Sequence, residues 1–190
     1  MSHRDPALEP IPGRRRFLTA ATGAAAIALG RVPAGRADAP AASGRRSLSF
    51  FNTHTGESVS AVYWADGEYR GEGLAAIDRV LRDHRTGAVR PIDRRLLEVL
   101  HALRGDIGTS APFHVISCYR SPQSNEALRR AGRAVAEHSL HMEGKAADIR
   151  VPGVTLDDLH RAAVARRAGG VGYYSGPSFV HVDVGSVRYW

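Results

Sequence analysis

His141, Asp148 and His181 are the residues of this 190-residue chain whose types and spacing best suit chemistry. Two imidazoles and a carboxylate form an N,O,N donor set, which a catalytic Zn²⁺ takes from a protein while one position stays open for water. His141 and Asp148 are too far apart in sequence to pair along one helix face, where partners lie three or four residues apart. Gly144, Ala146 and Ala147 between them let the backbone pass from a turn into a strand, so that both side chains can converge. Asp148 sits among Ala146, Ala147, Ile149 and Val151, where an ionised carboxylate needs a strong partner, and a metal ion is such a partner. His181 lies between Val180 and Val182 in a β-rich run.

Asp183 follows His181 by two positions and shares its face of a strand. It can orient a ligand imidazole or act as general base. His138 is the other candidate for proton transfer or for stabilising an oxyanion; its plain alternative is a solvated loop histidine. Glu143 is a weaker candidate for the base. Arg120 stands between an apolar strand and a helix cap, where a guanidinium can reach a substrate carboxylate in two-pronged fashion, the alternative being an ordinary surface arginine. Ser139 holds the turn or bonds within the site and is no nucleophile here. Tyr173 and Tyr174 can line the groove or, as is commoner at a sheet edge, pack, and Trp190 reads as packing of the C-terminus.

Ser139-Leu140-His141-Met142-Glu143-Gly144-Lys145-Ala146-Ala147-Asp148 carries the pattern Ser-x-His-x-x-Gly-x-Ala-x-Asp, with a histidine on a later strand. In this the chain resembles the zinc-dependent peptidoglycan peptidases, which include D-Ala-D-Ala carboxypeptidases, dipeptidases and penicillin-insensitive murein endopeptidases. Tyr119-Arg120-Ser121, Gly169-Gly170-Val171-Gly172-Tyr173-Tyr174 and Phe179-Val180-His181-Val182-Asp183-Val184-Gly185 make it most similar to the MepK-type murein endopeptidases. The resemblance covers roughly Leu48 to Trp190. It implies one zinc per chain on His141, Asp148 and His181, a metal-activated water that hydrolyses amide bonds in peptidoglycan stem peptides or cross-links, and substrate binding by Arg120. In many relatives the base is an acidic residue three positions before the last ligand. Ser178 stands there in this chain and cannot serve, so the base is to be sought in Asp183, His138 or, more weakly, Glu143. Endopeptidase is favoured over D,D- or L,D-carboxypeptidase by the resemblance alone, and Ser178 also permits a noncatalytic wall-binding metal domain.

These residues need a scaffold. Ser47 to Asn52 and Glu57 to Trp64 alternate and predict a hairpin across Thr53-His54-Thr55-Gly56. Leu74, Ile77 and Leu81 recur at helical spacing, as do Ile92, Leu96, Val99, Leu100 and Leu103 after Pro91 as helix start. Phe113 to Cys118 reads as a buried strand, and Ser121-Pro122 as the cap and first position of a helix to about Arg130. Ala146 to Val151 and Phe179 to Val184 read as strands, separated by a helix from about Leu156 to Arg167 and by Val171 to Tyr174. Without regular βαβ alternation the class is α+β, a small mainly antiparallel sheet with flanking helices. This agrees with the hedgehog/DD-peptidase-like fold that the resemblance implies.

Arg14-Arg15-Arg16-Phe17-Leu18 fits a twin-arginine export signal, followed by an alanine-rich run from Thr19 to Leu29 too short to span a bilayer. The expected organisation is a signal segment over residues 1–39, cleaved after Ala37 or Ala39, a linker over 40–47, and one zinc peptidase domain over 48–190. An uncleaved anchor and a disordered basic tail are the alternatives for the first segment. Export places the protein in the periplasm or cell envelope, with no stable membrane span in the mature form. Of 26 basic and 19 acidic residues, six and three fall within 1–39, which leaves a net charge of +4. Scattered cations of that modest excess argue against nucleic acid and suit an anionic wall. Peptidoglycan is the expected substrate, and a monomer the expected state. The lone Cys118 allows no internal disulfide and reads as a buried small hydrophobe rather than a catalytic thiol.

Overall fold

The computed structural model describes residues 44–133 and 135–190. The expected signal segment, 1–39, and residues 40–43 of the linker lie outside the described residues. The chain is already in a strand at Arg46, because Arg46 pairs with Trp64 across the first hairpin and reaches Glu98 at 2.6 Å. The first strand thus begins at Arg46, two residues before Leu48.

The hairpin is β1 (Arg46–Asn52) and β2 (Ser58–Ala65), extended by β3 (Glu68–Tyr69). Helices α1 (Gly71–Val80) and α2 (Arg94–Asp106) follow, then β4 (Phe113–Ser117) and α3 (Pro122–Arg130). A single 3-10 turn, Leu140–Glu143, leads into β5 (Ala146–Arg150), α4 (Leu156–Arg166), β6 (Gly170–Tyr174), β7 (Phe179–Asp183) and β8 (Arg188–Tyr189). The predicted cap of α3 is present: Ser121 Oγ accepts from the Ser124 amide at 3.2 Å, with Pro122 in the first turn. Pro91 does not start α2. Asp93 caps it instead, accepting from the Arg95 amide at 2.9 Å, and a side-chain cap satisfies an amide that proline's fixed φ alone leaves bare.

Among the described residues the strands form one sheet in the order β3-β2-β1-β4-β5-β7-β6-β8. Neighbours are antiparallel except β1–β4 and β6–β8. The sheet is mainly antiparallel and the class α+β, as expected, but with eight strands it is larger than the small sheet expected, and the two parallel pairs make it mixed. The two-residue strands β3 and β8 are too short to show alternation, and the parallel pairs join segments remote in sequence. Leu48, Phe50, Tyr63, Phe113, Val115, Ile149, Val180 and Val182 are fully buried with Ile77, Leu96, Leu100, Leu103 and Leu159 of the helices. Each such side chain contributes roughly 1.5–3 kcal/mol through burial. Because strand residues alternate, packing Val180 and Val182 against this core turns His181 and Asp183 to the other face. Register does the same for Asp148, which stands opposite His181. Among the described residues no helix is long and apolar enough to cross a membrane.

Candidate metal centre

Asp148 and His181 are cross-strand neighbours on β5 and β7, and His141 is brought over them by the 3-10 turn. That turn is set at both ends. Ser139 Oγ faces the His141 amide at 3.4 Å, and Gly144 closes it with φ +68°, where a Cβ would stand 2.7 Å from the Pro91 carbonyl oxygen. Only glycine meets both the left-handed backbone and the close approach, which explains the glycine of the motif.

His141 Nδ1 lies 2.7 Å from the Cys118 carbonyl, an acceptor, so it carries the proton and Nε2 keeps its lone pair. Nε2 faces Asp148 Oδ1 and His181 Nδ1, each at 3.3 Å. On His181 the roles of the nitrogens are exchanged: Nδ1 is 2.9 Å from Asp148 Oδ1, and Nε2 is 3.1 Å from Asp183 Oδ2. One nitrogen from each imidazole and one carboxylate oxygen thus converge, all within 4.8 Å. Tetrahedral zinc with bonds of about 2.0–2.1 Å spaces its donors roughly 3.3 Å apart. The donor types and spacing fit that ion.

Burial opposes ionisation of Asp148, but the imidazoles of His141 and His181 outweigh it and hold the carboxyl below its usual range. Burial lowers the pKa of His181, while hydrogen bonds to Asp148 and Asp183 reverse the sign and leave it raised. Asp183 is almost wholly buried. Its Oδ1 accepts the Gly170 and Gly185 amides at 2.8 Å each, and its Oδ2 accepts Arg188 Nη2 at 2.7 Å. These bonds, with that from His181, overcome burial and place its pKa at about 2.

A cleft of about 220 Å³ opens over the three donors. Arg120 lines it, with Nη1 bonded to Asn125 Oδ1 at 3.3 Å and Nη2 3.8 Å from Asp148 Oδ2. Its buried Nε has no partner among the described residues. His138 lines the cleft from an exposed loop position, while Asp183 does not line it. Glu143 lies outside, paired with Lys145. Ser178 is held at φ +60° in the turn between β6 and β7, also outside.

Tyr174, Phe179, Arg188 and Trp190 form one wall of the cleft, in which the sequence foresees only Tyr174 as a lining residue and has Trp190 as packing. Its signal was present in Gly170 and Gly172. A Cβ at the first would stand 2.5 Å from Asp183 Oδ2 and 2.9 Å from the Arg188 guanidinium, and at the second 2.5 Å from the Trp190 indole. Cys118 is buried with its thiol pKa raised by desolvation, as a structural cysteine requires.

Comparison with known proteins gives a consistent picture. The family described as peptidoglycan L,D-endopeptidase MepK matches residues 40–190. Peptidoglycan L,D-endopeptidase MepK of Escherichia coli (strain K12) is 41% identical over 145 residues, covering 76% of this chain and 80% of the relative. The probable peptidoglycan L,D-endopeptidase MepK of Haemophilus influenzae is 38% identical over 146 residues, covering 76% and 78%.

Proposed function

The chain belongs to the MepK family of peptidoglycan L,D-endopeptidases, and on that premise we propose that it is an exported, monomeric zinc enzyme that hydrolyses amide bonds in peptidoglycan cross-links. The observation that carries this reading is the convergence of His141 Nε2, Asp148 and His181 Nδ1 beneath an open cleft. These residues would hold one zinc per chain. Bound there, zinc supplies Lewis acidity that polarises the scissile carbonyl and makes water acidic enough to attack near neutral pH.

The chain's own groups do the rest. The Cys118 carbonyl and the Asp183 carboxylate fix both imidazoles in the tautomers whose lone pairs face the ion. Asp183 is an orienting group in this reading rather than the base, since its oxygens are engaged by four donors and turned from the cleft. His138 takes the proton from the attacking water and returns it to the leaving amine, because it is the one imidazole lining the cleft, among the described residues, that is not among the three metal donors. Arg120 anchors a carboxylate of the stem peptide, supported by its buried Nε, which has no partner among the described residues. Export by the pair Arg14 and Arg15 completes the proposal and places the enzyme at the wall.

Digestion of purified peptidoglycan, with and without chelator and with released fragments weighed by mass spectrometry, tests it. Zinc-dependent loss of cross-linked dimers, abolished in His141→Ala, is expected. Trimming of terminal residues only would assign a carboxypeptidase, and no release at any zinc level would assign a noncatalytic wall-binding domain.

A further inference from the structure

Trp190 is 48% exposed yet firmly held. Its amide donates to the Val171 carbonyl at 3.2 Å and its carbonyl accepts from the Tyr173 amide at 2.9 Å. Its indole N–H donates to Tyr174 Oη at 2.8 Å, and the Arg188 guanidinium lies 5.2 Å from its ring centroid. The missing side chain of Gly172 makes the room the ring occupies. A large aromatic surface immobilised by this many partners, half in solvent and 5.3 Å from the His181 ring, buries little of the core. Its open face belongs to the cleft.

Arg188 shares that wall and is 46% exposed. Nη2 bonds Asp183 and Nη1 bonds the Ser186 carbonyl at 3.0 Å, so two of its five N–H donors are used among the described residues. The strands β4, β5, β7, β6 and β8 are consecutive neighbours, with Arg120 just after the first and Arg188 on the last. Four strand spacings of roughly 4.8 Å put their backbones about 19 Å apart, with the three donors between. The cleft therefore has a guanidinium at each end, and at one end an indole beside it.

We infer that Trp190 and Arg188 form a second substrate subsite, across the zinc ligands from Arg120, that takes a peptide residue with an aliphatic side chain ending in a carboxylate. The methylenes lie on the indole and the carboxylate meets the remaining Arg188 donors. The inference rests on the peptidase reading of the cleft and assigns the residues that select what lies on one side of the scissile bond.

The chain has two tryptophans, and Trp64 is on β2, four strands from β7. Fluorescence therefore reads the subsite without turnover. The probe is an acidic peptidoglycan stem tripeptide added to the zinc-loaded full domain, alongside the same peptide with its side-chain carboxylate amidated. A saturable change is expected with the acidic peptide, weakened roughly tenfold by amidation and absent in Trp190→Ala, where Trp64 alone reports. In hydrolysis of cross-linked dimer, Trp190→Ala raises KM roughly tenfold with kcat and zinc stoichiometry nearly unchanged, and Trp190→Phe recovers part of the loss. In Arg188→Gln the difference between acidic and amidated peptide disappears. Unchanged KM in folded Trp190→Ala overturns the inference, as does equal binding of the two peptides by the wild type. If Trp190→Ala does not fold, a wild-type fluorescence that no peptide alters overturns it equally. A chain that binds the peptide but never cuts would defeat the hydrolase reading and leave the subsite standing.

Discussion

The Oδ2 of Asp183 lies 3.1 Å from Nε2 of His181, on the side of the ring away from Asp148, which faces Nδ1. The imidazole is thus clamped between two carboxylates, one buried behind it and one beside the cleft. A carboxylate in the rear position fixes tautomer and orientation and raises ligand basicity.

Asp183→Asn should accordingly weaken zinc binding roughly 10- to 100-fold, with most of the rate restored by excess zinc. Turnover measured across a zinc titration checks this. A loss of kcat of roughly 10²-fold or more that persists at saturating zinc would instead make Asp183 the base.

His138→Ala should show the opposite pattern: unchanged zinc affinity and a kcat lower by roughly 10²-fold. Zinc competition assays and saturation kinetics on the same preparation separate the two quantities. Wild-type turnover would return His138 to an ordinary solvated loop residue.

Gly144→Ala should destabilise the domain by about 1–3 kcal/mol from the left-handed backbone alone, with more from the 2.7 Å approach to the Pro91 carbonyl. Because the turn carries His141, zinc affinity should fall with it. Denaturant titration of apo and zinc-loaded protein reads both effects; a stable variant with intact zinc binding would show that the turn is not tightly constrained.

Asp83 ties the loop after α1 to the start of α3, its Oδ2 accepting from the Ser121 amide at 2.8 Å and hydroxyl at 2.6 Å, and its Oδ1 from the Arg85 amide at 2.9 Å. Burial opposes its charge, but the hydrogen bonds from Ser121 and its neighbours prevail and hold the carboxyl well below 3.8. A depressed native pKa gives stability that is present above the unfolded value and lost as pH falls through the native one. Asp83→Asn should therefore cost about 1–3 kcal/mol at neutral pH, and the gap from wild type should close in acid. Urea unfolding at several pH values checks the sign; a gap that widens in acid would contradict it.

The hairpin, the Ser121 cap and the convergence of His141, Asp148 and His181 were legible in sequence because each follows from local spacing or an intact motif. The mutual orientation of the imidazoles was not. His181 alternates correctly on β7, but only the packing of Asp183 beneath it decides which nitrogen faces the cleft. The cleft wall was hidden for a different reason. The pairing of β8 with β6 joins Gly170 to Arg188, and a two-residue strand has no periodicity of its own. Pro91 misled because a proline ahead of a helix resembles a first-turn proline, whereas its carbonyl packs against Gly144 and the Asp93 amide bonds the Gly144 carbonyl at 3.0 Å.

The tether on His141 is the main-chain oxygen of Cys118, not its thiol. A backbone acceptor is indifferent to the side chain it belongs to, so Cys118→Ala keeps the anchor while removing the chain's sole sulfhydryl. The molecule thereby offers a blank background for labelling. A single cysteine placed at the rim of the cleft would carry a spin or fluorescent probe without competition, and would report directly on how the enzyme engages an intact, insoluble wall.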